Sequence, residues 1–211
     1  MRANKPQKAT APAELCPPEF YSPPDDPIEL LRNWLQKAKT QGVREPDALA
    51  LGTADRTRRT SVRFVQMVSI TSAGLVFITN DGSQKGHDIA ATKWASGALY
   101  WRETRQQITL AGPVERLSSN DSDALWVARP ADAQLMAAAS QQSAPLDSEQ
   151  ALYDKIRRLA EISELLQRPK DWSGYHLTAD MVEFWQESPD RLHRRLRYDR
   201  ADGWTARRLQ P

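Results

Sequence analysis

The sequence predicts a mainly β protein with flanking α-helices (α+β), in which consecutive antiparallel strands form a barrel. Two observations carry this. Beyond residue 47 the apolar spacing changes from helical to alternating, in runs rich in β-branched and aromatic residues. These runs follow one another across short turns, with few of the crossover helices that a parallel sheet needs.

Residues 1–26 read as a mobile proline-rich N-terminal arm, and 27–211 as one domain. Seven of the 14 prolines fall within the first 27 residues, where they remove amide donors and block helix and central strand. A first helix starts at Asp26, a plausible N-cap, with Pro27 at N1. Ile28, Leu31 and Leu35, joined by Trp34 and Ala38, give it one apolar face, and Gly42 is a natural stop. Strands are expected over 48–54, 61–70, 74–80, 96–103 and 106–117. Asp55-Arg56-Thr57 and Thr71-Ser72-Ala73-Gly74 are tight enough for hairpins. Helices fit 84–93, 119–129 and 147–166, the last with Leu152, Ile156, Leu159, Ile162 and Leu166. Strands return at 174–178, 182–186, 193–199 and 203–209.

Composition excludes several function classes. With 29 basic and 27 acidic residues, the near-balance argues against a primary nucleic-acid or polybasic membrane binder. No stretch approaches the ~20 apolar residues of a membrane helix. The segment MRANKPQKAT has no apolar h-region, and Cys16 is the only cysteine, so a reducing cytoplasm is the expected compartment. There is no Gly-x-Gly-x-x-Gly, Walker A or Gly-x-Ser-x-Gly pattern. His87, His176 and His193 stand far apart without neighbours at metal spacing, so no metal is expected.

What remains points to anions. Phe77 to His87 reads as strand, polar glycine turn and helix start. Thr79, Ser83 and Lys85 there, with the free amides of a helix N-terminus, suit a phosphate monoester; the same pattern also describes a capped helix with a solvated lysine. Arg63 interrupts the apolar run SVRFVQMV and needs either a solvent face or an anion partner. Alternation puts Arg63 and Val65 on one face, Phe64 and Gln66 on the other. Near the C-terminus, Phe184-Trp185 and Arg191-Leu192-His193 bring an indole, an arginine and an imidazole into one hairpin, a mixture suited to a flat anionic aromatic ligand. The arginine-dense C-terminus as a whole could also form a nucleic-acid face, but a solvated strand surface balanced by Asp190, Asp199 and Asp202 is the favoured reading of it.

The same residues carry a resemblance. SVRFVQ, FITN at 77–80, GSQKG at 82–86, RQQ at 105–107, ARP at 128–130, QQS at 141–143 and EFWQ…DRLHRRLRY at 183–198 resemble the pyridoxamine 5′-phosphate oxidase family, over almost the whole chain from Pro27. LALGTADRTRRTS, WASGALYWRETRQQI and RLHRRLRYDR are most similar to its FMN-dependent, phenazine-oxidising branch. The resemblance implies an FMN-binding split β-barrel of Greek-key antiparallel strands, and a homodimer with FMN at its interface. By that resemblance, Arg63 and Lys85 neutralise the FMN phosphate and Thr79 and Ser143 donate to it. Phe64, Val65, Gln66 and Ile78 lie along the cofactor, and Gln107 and Gln142 meet its polar edge. Trp185 and Arg195 arrive from the partner chain. Gln84 stands where the vitamin-forming enzymes commonly carry Arg.

Where those enzymes bind their substrate's phosphate through Lys, Tyr, Arg and Ser, this chain has Val68, Leu125, Arg129 and Ala133. Losing a cation and two hydroxyls, at ~1.5–3 kcal/mol per charge-assisted bond, disfavours a phosphorylated vitamin. Arg129 and Arg191 suit a carboxylate, and His193 keeps its place near the reacting ring. The expected reaction is oxidation of hexahydro- or tetrahydrophenazine carboxylates, with hydride passing to the flavin and dioxygen taking the electrons as hydrogen peroxide.

Overall fold

The computed structural model describes residues 17–161 and 166–211. The expected arm therefore lies outside the described residues up to Cys16, as does Ile162 of the last predicted helix. Five α-helices, a short 3-10 helix (Pro18–Phe20) and nine strands lie among the described residues, with hydrogen-bonded strand order β4-β1-β2-β3-β6-β5-β7-β8-β9. A β4–β5 pairing closes the first six into an antiparallel barrel. The strands are β1 (Ala48–Ala54), β2 (Thr60–Ile70), β3 (Gly74–Asn80), β4 (Trp94–Trp101), β5 (Gln106–Arg116), β6 (Trp172–Thr178), β7 (Met181–Gln186), β8 (Arg194–Arg200) and β9 (Trp204–Leu209).

The chain divides into two compact units. The described part of the first comprises residues 17–46, 98–110 and 180–211. Its helix α1 (Pro27–Thr40) begins as expected: the Asp26 carboxylate accepts from the Ile28 amide at 2.8 Å. The helix ends before Gly42, whose φ of +77° favours glycine. Leu31 and Trp34 are buried, and full burial of such side chains contributes ~1.5–3 kcal/mol each. Trp34 meets Phe184 of β7 edge-on at 5.1 Å, and Phe184 meets Tyr198 of β8 at 6.1 Å. Residues 17–26 pack on this core. Phe20 is buried, Trp34 Nε1 donates to the Glu19 carboxylate, and Tyr198 donates to the Pro24 carbonyl at 2.9 Å.

The second unit comprises residues 47–97 and 111–179. In register, Leu51 faces Arg63 and Thr53 faces Ser61 across β1 and β2. β3 pairs with β6 along its length, stacking Phe77 on Tyr175 at 5.7 Å. Helices α2 (Gln84–Thr92), α3 (Ser119–Val127), α4 (Ala131–Ala139) and α5 (Glu149–Ala160) belong here. α4 is a helix where the sequence pattern predicts none. Its alanines occupy every face, so no helical stripe shows, and Pro130 at the N-cap offers no capping side chain. α5 is shorter than expected, ending at Ala160. The first hairpin loop runs from Asp55 to Arg59, with Arg58 at a φ of +67°.

Candidate active site

The turn between β3 and α2 is held from several sides. Asn80 Oδ1 accepts from the Gly82 amide at 2.8 Å, and its Nδ2 donates to Asp171 at 2.6 Å. Asp81 receives the Tyr175 hydroxyl at 2.7 Å and pairs with Arg116 at 2.9 Å. Burial and the bond to Asp81 push the Tyr175 phenol far above its usual range. Ser83 caps α2, accepting from the Gly86 amide at 3.3 Å and donating to the Asn80 carbonyl at 2.7 Å. Gly86 is required here, since a Cβ would meet the Asp81 carbonyl oxygen at 2.3 Å. The positive end of α2 is thus presented rigidly.

A cavity of about 660 Å3 opens along β2 from Ser61 to Gln66 and reaches that helix start. Small-molecule sites have about this size. Lys85 lies in its wall, almost fully buried, with Nζ donating to Gln142 Oε1 at 3.0 Å and to Ser83 at 3.3 Å. Burial, then the charge of Arg63, lowers Lys85 to about 8. Thr79 also donates to Gln142 Oε1, at 3.2 Å. An oxygen acceptor therefore already sits between the ammonium and the hydroxyl, where a phosphate oxygen fits. Ser143, at a φ of +72°, accepts from the Gln84 amide at 3.4 Å.

Of the two alternatives expected for Arg63, the structure shows the anion partner, supplied by a buried carboxylate of the chain itself. Its guanidinium points inward, donating to Leu51 O at 3.1 Å, Thr53 Oγ1 at 2.7 Å and Ser61 Oγ at 2.5 Å. Asp88 Oδ2 lies 3.9 Å away. Burial lowers the Arg63 pKa, and Asp88 opposes that shift. Also in the cavity lining, Arg129 lies 5.8 Å from the Trp172 ring centroid. Its buried Nε has no hydrogen-bond partner among the described residues. Burial lowers its pKa as well.

The second unit thus assembles Arg63, Phe64, Val65, Gln66, Ile78, Thr79, Gln84, Lys85, Arg129, Gln142 and Ser143 around one cavity, all named from the sequence. Val68, Leu125 and Ala133 belong to the same unit but do not line it. Val68 is exposed on the outward face of β2, and Leu125 packs beside Gly174. Gln107, Trp185, Arg191, His193 and Arg195 belong to the first unit. There Trp185 and His193 lie 5.0 Å apart, His193 Nδ1 accepts from the Ser188 amide at 3.3 Å, and Arg195 pairs with Glu183 at 2.7 Å. Arg191 sits at a φ of +64°. Sequence reasoning missed Trp172 and Asp88. The second was findable: it follows Lys85 by three residues, one helical turn away on a neighbouring face.

Residues 35–163 match the family model described as pyridoxamine 5′-phosphate oxidase. This chain belongs to that family. Residues 172–211 match the pyridoxine 5′-phosphate oxidase C-terminal dimerisation region. Among family members, dihydrophenazinedicarboxylate synthase of Pseudomonas chlororaphis is 46% identical, covering 92% of this chain and 88% of the relative. The pyridoxine/pyridoxamine 5′-phosphate oxidase of Deinococcus deserti is 42% identical, covering 88% and 89%. PhzG from Burkholderia lata 383, solved with tetrahydrophenazine-1-carboxylic acid, superposes with a TM-score of 0.92 at 43% identity, covering 94% of this chain and 98% of that one. The family's barrel is therefore the fold of this chain.

Proposed function

We propose that this protein is an FMN-dependent oxidase that aromatises hexahydro- or tetrahydrophenazine mono- and dicarboxylates, with dioxygen as electron acceptor. One observation carries the reading: a single cavity holds two separate cationic stations. Arg63 and Lys85 at the α2 N-terminus suit a mononucleotide phosphate, and the unpartnered Nε of Arg129 beside the Trp172 ring suits a carboxylate on a flat ring. The likeness to the Pseudomonas and Burkholderia proteins supports the substrate class.

The residues present fit the cofactor. Arg63 and Lys85 neutralise the phosphate, Thr79, Ser143 and the Gln84 amide donate to it, and Gln142 turns from Lys85 toward the ligand. When bound, FMN supplies the redox chemistry, taking two electrons from the substrate and passing them to dioxygen, with two protons, as hydrogen peroxide. The chain's own groups place and neutralise. Arg129 of the second unit is assigned a substrate carboxylate; in the first unit Arg191 has the same chemistry to offer, and His193, steadied by the Ser188 amide and Trp185, stands as the proton-handling candidate. Gained aromaticity drives the reaction, so no strong general base is assigned.

The active form is a homodimer. The outward face of β2 leaves Val62, Phe64 and Val68 exposed at 70%, 75% and 41%, an apolar strip suited to a second copy. Trp185 and Arg195 are assigned to the cofactor across that dimer. The deciding experiment mixes purified protein, checked for flavin absorbance, with a reduced phenazine carboxylate in air and measures peroxide. Pyridoxine 5′-phosphate serves as the comparison substrate. Faster turnover of the phosphorylated vitamin overturns the reading and favours the vitamin-forming branch, to which the Deinococcus relative belongs by name.

A further inference from the structure

We propose that Asp88 is a positioning residue that aims Arg63 at the cofactor phosphate through the hydroxyls of Thr53 and Ser61. The inference rests on the FMN reading and goes beyond it, because it concerns a buried carboxylate to which that reading gives no role.

Asp88 projects from α2, and its side chain is only 6% exposed. A buried carboxylate must be compensated. Here the compensation comes from hydroxyls: Thr53 Oγ1 donates to Asp88 Oδ2 at 2.6 Å and Ser61 Oγ at 3.2 Å. These two oxygens are also the acceptors of Arg63, at 2.7 and 2.5 Å. The strand register explains the meeting, since Thr53 lies opposite Ser61, and Ser61 and Arg63 share one face of β2.

The bonds to the two charged groups in this set each run one way, whereas the 3.4 Å contact between the Thr53 and Ser61 hydroxyls is open to either donor. A guanidinium can only donate, an ionised carboxylate can only accept, and a hydroxyl carries one proton. The hydroxyl protons are therefore turned away from Arg63, and the shorter contacts, at 2.6 and 3.2 Å, seat them on Asp88 and leave lone pairs for Arg63. Remove the carboxylate and the hydroxyls are free to rotate, so the guanidinium loses its seat. Asp88 also offsets part of the repulsion between Arg63 and Lys85, two cations in one cavity wall. The cradle is thereby set before the anion arrives, which is where affinity is gained by preorganisation.

A merely structural Asp88, pinning α2 to the hairpin, makes a different prediction from a positioning one. A double-mutant cycle separates them. Kd values for FMN and for riboflavin, which lacks the phosphate, are measured on full-length wild type, Asp88→Ala, Arg63→Ala and the double variant. Asp88→Ala is expected to weaken FMN about tenfold, a typical loss for outer-shell partners, to leave riboflavin within about twofold, and to add nothing on Arg63→Ala. Thr53→Val, which keeps the shape and deletes one linking hydroxyl, is the second variant should Asp88→Ala fail to fold. It is expected to weaken FMN about threefold, again sparing riboflavin. Equal losses for the two ligands, or a full additional loss on Arg63→Ala, overturn the assignment. Tight FMN binding that neither variant alters overturns it alone, whereas a wild-type chain that binds no FMN overturns the flavin reading with it.

Discussion

Raising the pH should release the mononucleotide through Lys85. Burial, with a second contribution from the Arg63 charge, brings this ammonium to about 8 in the ligand-free protein, well below an ordinary lysine. An anion binds the protonated form, so FMN affinity is near its maximum at about pH 7, where the ammonium is charged and the phosphate is still largely a dianion. Above the Lys85 pKa, affinity falls about tenfold per pH unit. From about pH 7 to about pH 9.5 the loss is roughly 30-fold, or about 2 kcal/mol. Fluorescence titration of FMN across that range gives the curve, with riboflavin as the phosphate-free control, because ring ionisations common to the two ligands cancel in their ratio. Lys85→Met should bind FMN weakly with a flat profile. A ratio of affinities that stays level through pH 9.5 in the wild type refutes the placement of Lys85 on the phosphate. Stability of the ligand-free protein moves in the other sense. The folded pKa lies below the unfolded one, so the unfolded chain holds more protons between the two, and Tm should rise as pH climbs through that window.

Arg63→Ala should reduce FMN affinity by ~1.5–3 kcal/mol, roughly 10- to 150-fold, by removing charge-assisted bonds; calorimetric Kd checks this. Arg129→Gln should raise KM for a reduced phenazine carboxylate about tenfold or more while leaving the FMN Kd nearly unchanged, because it removes the second cationic station only. Phe64→Asp, on the outward face of β2, should shift the protein from dimer to monomer in sedimentation analysis, by placing a charge in an apolar contact. Val68→Lys with Ala133→Ser should raise turnover of pyridoxine 5′-phosphate by restoring a cation and a hydroxyl for its phosphate; unchanged turnover refutes a role for these positions in substrate selection.

Much of the fold was legible because local rules acted alone. The Asp26 cap, the Pro27 start and the Gly42 stop of α1 follow from short-range chemistry, and β1 and β3 match their expected bounds. The cradle was legible for the same reason: Thr79, Ser83 and Lys85 lie within one strand–turn–helix segment. Where the local signal was silent, prediction stopped. α4 has neither stripe nor capping side chain, and its existence is decided by its place beside α5, whose Lys155 donates to the Ala139 carbonyl at 2.7 Å.

The chain's order of residues determined by itself the alternation that makes a barrel, the helix start whose free amides and hydroxyls suit an anion, and the presence of an arginine inside an apolar strand. Tertiary structure decided what that arginine does. Only the pairing of β1 with β2, and the seating of α2 against them, brings Thr53, Ser61 and Asp88 to Arg63 from three separate segments. Likewise, only folding sets Gln142 on Lys85 and turns Arg129 toward Trp172. The physical reason is range: capping and alternation act over a few residues, whereas charge compensation in a buried site joins groups that spacing alone never relates.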